Sequence, residues 1–256
     1  MSPLVITLLI VTGISILIAI GYITHMVENS KLEKARLRAD LNDRLRRCNE
    51  ISEALPGQLM SPALKLLLCR LLLQFSERML VLDKNSAALK ERIEELRGLI
   101  GKGESIPVRN PQQPILTEAK AKDIRFLLEN LHGQITRSAQ DAFLPTNEAK
   151  HWFQEVREML VQLHIELFNN VGQQALQQNQ PGQARLAFER GVQYLRKQPD
   201  PTRYQGPLKQ LENLLARANS MVLENIKPAT DEPNQLNDGL RSLETDDDWK
   251  KKNMYD

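Results

Sequence analysis

Residues 3–24 contain no Asp, Glu, Lys, Arg or His, and the run LVITLLIVTGISILIAIGYI within them is about 20 residues long. At about 1.5 Å per residue a helix of that length matches the roughly 30 Å hydrocarbon core of a bilayer. The sequence therefore predicts a transmembrane helix over 3–24. A cleaved signal peptide would use Ala19-Ile20-Gly21 as its small-x-small site, but Met1-Ser2-Pro3 has none of the basic residues such a leader carries before its apolar stretch.

Past the apolar run come Lys31, Lys34, Arg36, Arg38, Arg44, Arg46 and Arg47, whereas the other flank offers only the α-amine. An excess of basic residues on one side holds that side in the cytoplasm, which gives an N-out, C-in, single-pass protein of a bacterial inner membrane. Cys48 and Cys69 show no CxxC spacing, and free thiols suit the same reducing compartment. Ser15 and Ala19 form a small-xxx-small pair through which two such helices could approach as a homodimer, although small residues are common in spanning helices.

The rest of the chain reads as all-α. Aromatic residues make up only 5% and glycine 12 in all, while Leu, Ala, Gln, Glu, Lys and Arg dominate. A juxtamembrane stalk over 25–55 carries the stripe Leu37, Leu41, Leu45, Cys48, and Pro56-Gly57 breaks it. A helical hairpin is expected over 61–101, opened by Ser61-Pro62 as N-cap and first-turn proline. Its first helix is apolar nearly all round but contains Lys65, Arg70, Glu77 and Arg78. A central arginine costs about 2.5–3.5 kcal/mol to insert, so a buried core helix fits better than a second span. Three prolines among glycines and polar residues mark 102–116 as a linker. A helical domain over 117–226 follows, with Thr117 as N-cap and the stripe Ile124, Leu127, Leu128, Leu131, Ile135 on its first helix. From 227 to 256 too few apolar residues remain to build a core, and the segment reads as a disordered tail.

Within the helical domain, the stretch from Phe168 to Pro199 resembles a single tetratricopeptide-type helix pair. Gly172 stands at the close contact of the first helix, Ala184 and Phe188 follow in the second, and Pro199 lies just beyond. Ala175 replaces the usual tyrosine and Gly191 the second alanine. Stepping upstream by the repeat of about 34 residues lands on Lys150 and Gln154, while downstream Ala218 and Val222 fit a capping helix loosely. The resemblance covers about one repeat, at about 165–199, and an ordinary antiparallel hairpin accounts for the same residues. It implies a protein-binding scaffold without catalysis.

Candidate chemistry is sparse. Glu129-x-x-His132 and Glu148-x-x-His151 have the spacing that carboxylate-bridged di-metal bundles use. At about 100° per residue, however, Glu129, His132 and His151 lie roughly 140°, 80° and 140° from the centres of their helices' apolar stripes, which turns them toward solvent. Gly98 to Gly103 lacks the length, the preceding strand and the hydroxyl residue of a phosphate loop. His164 has no nucleophile motif to serve. No catalytic residue, metal ligand or cofactor is expected, and a formal net charge of +2 from 34 basic and 32 acidic residues argues against nucleic acid as a partner.

The tail holds the remaining candidates. Leu236, Leu240 and Leu243 step by 4 and 3 ahead of Asp246-Asp247-Asp248-Trp249-Lys250-Lys251-Lys252, with Met254 and Tyr255 after them. Trp often anchors binding in a partner's pocket, so Trp249, Leu240, Leu243 and Tyr255 are the candidate partner-binding residues. These features predict a membrane-anchored, non-catalytic scaffold or adaptor for cytoplasmic or membrane proteins. A structural or regulatory subunit of a membrane complex and, less favoured, a metal-carboxylate enzyme are the rival readings.

Overall fold

The computed structural model describes the backbone of residues 3–226, and their side chains apart from 3–12, 14–16, 18, 225 and 226. Among the described residues every regular element is helical: α1 (Pro3–Ala54), α2 (Pro62–Leu82), α3 (Ala87–Ile100), α4 (Glu118–Gln140), α5 (Thr146–Gln177), α6 (Pro181–Arg196) and α7 (Gln205–Ile226), with short 3-10 turns at Gly103–Ser105 and Pro201–Tyr204. The chain is all-α there. Two compact units, Met1–Asn170 and Val171–Asp256, divide it at a point inside α5.

In the first unit, α1 is one helix of 52 residues. Among the described residues no helix is long and apolar enough to cross a membrane; the expected span over 3–24 is helical in backbone, but most of its side chains lie outside the description. The C-terminal third of α1 is docked, with Leu41, Leu45, Cys48 and Ile51 buried, as is Leu55 just past its end. Leu37, on the same stripe, stays 44% exposed. The reason is the length of the neighbouring helix: Arg38 pairs with Asp83 just past the end of α2 at 3.2 Å, so above that level no described residue covers α1.

Helix α2 is the centre of this core. Ser61 caps it by accepting from Leu64 N at 3.1 Å, Pro62 occupies the first turn, and Leu64, Leu67, Leu68, Leu71, Leu72 and Phe75 are buried. Each such side chain contributes about 1.5–3 kcal/mol on leaving water. Every charged residue within α2 has a partner. Lys65 donates to the Ser52 hydroxyl at 2.6 Å, Arg70 meets Glu148 at 2.5 Å, Glu77 accepts from Arg97 at 2.8 Å, and Arg78 lies 3.9 Å from the centre of the Phe143 ring. Thr117 caps α4 by accepting from Lys120 N at 3.2 Å, and the stripe Ile124, Leu127, Leu128, Leu131, Ile135 is buried.

Segment 102–116, read above as a linker, lies against this unit as a strap. Ile106 and Ile115 are buried. The last carbonyls of a helix have no partners of their own, and here the Asn110 amide supplies one, donating to Ser52 O at 3.1 Å and Leu55 O at 2.8 Å. Gly57 N donates to Pro111 O at 2.9 Å, and a Cβ on Gly57 would sit 2.3 Å from Asn110 O. From α5, the Glu166 carboxylate accepts from Ile115 N and the Gln58 amide, each at 3.3 Å, and Asn170 donates to Ile115 O at 3.2 Å.

In the second unit, α6 and α7 pack as an antiparallel pair. Ala184, Ala187, Phe188, Gly191, Val192 and Leu195 form the buried face of α6, and Leu211 and Ala218 are buried on α7. Gly172 backs onto Phe188 so closely that a Cβ would lie 2.3 Å from the ring. The end of α5 is closed by Gln180 N donating to Ala175 O at 2.9 Å, with Asn179 in the left-handed region at φ 56°, which Asn tolerates better than most residues.

Candidate functional site

The exposed part of α1 is the largest departure from ordinary surface chemistry. Leu17, Ile20, Tyr22, Ile23, Met26 and Val27 are 45–70% exposed within eleven positions, and at about 100° per residue they cover about 220° of the helix circumference. A face this wide and apolar is more than an ordinary exposed helix surface carries. Immediately after them Lys31, Lys34 and Arg36 are exposed and have no acidic partner among the described residues. Farther along the basic residues are engaged: Arg44 holds Asp40 at 2.8 Å and Asp141 at 2.5 Å, and Arg47 holds Asp43 at 2.7 Å. The hydrogen bond from Arg47 keeps the Asp43 carboxyl below its usual range, and the same bond raises Arg47.

The paired Glu-x-x-His residues do not converge. Glu129 accepts from Arg125 at 2.8 Å one turn away, and His132 lies with its ring centre 4.6 Å from that of Phe153. Glu148 is taken by Arg70, and His151 is exposed beside Trp152. Among the described residues no group of three or more His, Cys, Asp or Glu gathers where a metal ion would bind. His164 is half-buried with Nδ1 2.7 Å from Leu160 O. Gly98 lies within α3, Gly101 follows its last turn, and Gly103 begins a 3-10 turn, so the glycines form a helix end. Cys48 and Cys69 are free and buried; burial pushes the Cys48 thiol from 9.0 to about 12 and raises Cys69, which removes the thiolate a nucleophile needs.

A groove of about 390 Å³ runs between α6 and α7 of the second unit. Arg185, Glu189, Val192 and Arg196 line it from α6, and Glu212 and Leu215 from α7. Arg196 and Glu212 meet at 2.6 Å and mark one end. At the other end the lining is Arg185 and Glu189 from α6 and Asn219 from α7. Sequence reasoning missed this groove. Arg196 and Glu212, which meet across it, are sixteen positions apart on different helices, and no local spacing signals such a pair. The glutamines at 173, 174, 177, 178, 180 and 183 are all exposed. Leu240, Leu243, Trp249 and Tyr255 lie outside the described residues. No family model, curated protein or solved structure matches the chain.

Proposed function

We propose that the chain is a single-pass, membrane-anchored and non-catalytic helical scaffold or adaptor that holds protein partners at the cytoplasmic face of an inner membrane. The observation that carries this reading is the bare apolar stretch of α1, with Leu17, Ile20, Tyr22, Ile23 and Met26 each more than half exposed ahead of Lys31, Lys34 and Arg36. A bilayer covers such residues on every side, each Leu or Ile contributing about 0.3–0.6 kcal/mol to insertion, and the basic residues after them hold the docked units on the cytoplasmic side. The helix pair resembling a tetratricopeptide unit and the groove beside it supply surfaces suited to protein partners, and the tail residues Trp249, Tyr255, Leu240 and Leu243 supply an anchoring motif.

Two measurements test the anchor together. The full chain should resist alkaline extraction from membranes, and a reporter active only in the periplasm should stay silent when fused after Asp256. Ile14→Arg, which places a charge near the middle of the run at a cost of about 2.5–3.5 kcal/mol, should release a large share of the protein. Extraction of the wild type by alkali, or a strongly active periplasmic reporter, would sink the reading.

A further inference from the structure

Where the end of α2 meets α1, a notch of about 470 Å³ lies between the two helices. Lys31, Lys34 and Arg38 line it from α1, Ala35 and Ala39 form its floor, and Leu82 closes it from the last turn of α2. No acidic residue among the described ones lines it. Its volume falls within the range of about 300–1,000 Å³ in which small-ligand sites are found. Asp83 holds Arg38 at 3.2 Å, which fixes the end of α2 and with it the closed end of the notch. Lys31 and Lys34 are exposed and have no acidic partner among the described residues.

That arrangement leaves repulsion unrelieved. Lys31 and Lys34 stand three positions apart and Lys34 and Arg38 four, so each pair shares a helix face, where like charges are destabilising. The acids of this stretch point elsewhere. At about 100° per residue, Glu33 and Asp40 are about 160° and 180° round α1 from Lys31, and Asp40 is engaged by Arg44 at 2.8 Å. Glu28 is about 60° aside and a turn back along the helix. An anion seated between the two lysines removes the repulsion and gains two charge-assisted contacts.

The same face of α1 is apolar toward the N-terminus. Leu17, Ile20, Thr24 and Val27 are exposed and fall within about 40° of Lys31 round the helix. The Thr24 hydroxyl is engaged within the helix, donating to Ile20 O at 2.8 Å. The four make a strip about 15 Å long that ends about 6 Å before Lys31, close to the roughly 5–7 Å depth of a headgroup layer. Helical side chains lean toward the N-terminus, here toward the strip, and lysine stems lie along apolar surface while their ammonium groups seek charge. An apolar strip leading into a cationic notch has the polarity of a phospholipid, acyl chain to phosphate. A free phosphate would use the lysines and leave the strip bare.

We propose that Lys31 and Lys34 hold the phosphate of one anionic phospholipid of the cytoplasmic leaflet, with an acyl chain along Leu17, Ile20 and Val27. This lipid site rests on the membrane-anchored reading and adds to it a helix face and a lipid class. Topology counts basic residues on any side of α1, whereas the notch uses Lys31 and Lys34 and leaves out Arg36, about 140° round from Lys31.

Native mass spectrometry of the full-length protein in detergent, with phosphatidylglycerol and phosphatidylcholine in equal amounts, reads the lipid held by each chain. One phosphatidylglycerol should be retained about tenfold over phosphatidylcholine, the scale on which basic residues near an anionic surface act. Lys31→Gln combined with Lys34→Gln should erase the preference. Arg36→Gln combined with Arg46→Gln removes the same charge from outside the notch and should keep it, and glycerol phosphate in millimolar excess should compete poorly. Alkaline extraction of the wild type separates the two readings: resistance to alkali without a lipid preference overturns the notch and leaves the anchor, whereas release by alkali overturns both. Equal loss in the two double variants reveals general charge attraction and overturns the lipid site. So does a preference that glycerol phosphate abolishes, which is the behaviour of a free-phosphate site.

Discussion

Cys48 shows how strongly one buried side chain can tie stability to pH. It is fully buried beside Leu45 and Ile51 on α1, and burial lifts its thiol from 9.0 to about 12. In the unfolded chain the thiol loses its proton near 9, while the folded chain keeps it until about 12. Over that window the unfolded state binds fewer protons, so stability falls as pH rises, by up to about 1.4 kcal/mol per pH unit from this group. Below pH 9 the contribution is whole. Urea unfolding of the wild type should therefore steepen in its pH dependence above 9, and Cys48→Ala, less stable at neutral pH by about 1–2 kcal/mol for its lost volume, should show a flatter decline. Parallel curves for the two proteins between pH 9 and 11 would refute the assignment.

At the scale of elements, the end of α1 depends on a piece of chain almost sixty residues away. Asn110 caps its carbonyls, and Gly57 fits only because no Cβ intrudes on the Asn110 carbonyl. Gly57→Ala should push the strap away, break the Gly57 N to Pro111 O bond and cost about 1–3 kcal/mol, an overpacking penalty against backbone that cannot rotate aside. Trypsin should then cut after Arg109 markedly faster than in the wild type, with the helices otherwise retained; an unchanged cleavage rate would show that the strap is not held at Gly57. The strap also marks where sequence reasoning stops. Helices such as α2 and α4 could be read directly, because Ser61 and Thr117 signal their starts and apolar residues recur at helical spacing. In 102–116 the prolines and glycines signal only that no helix forms. What holds the segment is two isoleucines and side-chain amides meeting carbonyls distant in sequence, and such partners have no periodicity to read. For the same reason the stripe Leu37, Leu41, Leu45, Cys48 showed a docking face but not that α2 stops short of Leu37.

At the scale of the whole chain, the candidate site was readable where it rests on one continuous stretch and hidden where it needs two. The apolar run and the basic residues after it are contiguous, whereas the groove takes Arg196 and Glu212 from helices that only packing brings together. Under the proposed adaptor reading the tail carries partner recognition, and its removal tests that role. Truncation after Lys227 leaves α1 through α7 intact in sequence, so membrane association and helical content per described residue should be preserved. Capture of partners from detergent extracts should fall for at least one protein that the full chain retains. Trp249→Ala alone should reproduce most of that loss, about tenfold or more, because a tryptophan buried at the centre of an interface commonly contributes 2 kcal/mol or more while its neighbours mainly exclude water. The charge blocks on either side, Asp246-Asp247-Asp248 and Lys250-Lys251-Lys252, should affect the rate and salt dependence of association more than its final affinity. Neutralising Lys250, Lys251 and Lys252 together should therefore slow capture at low salt and matter little at high salt. If the truncated chain and the full chain capture the same proteins in the same amounts, recognition belongs to the helical units and the tail is a passive extension.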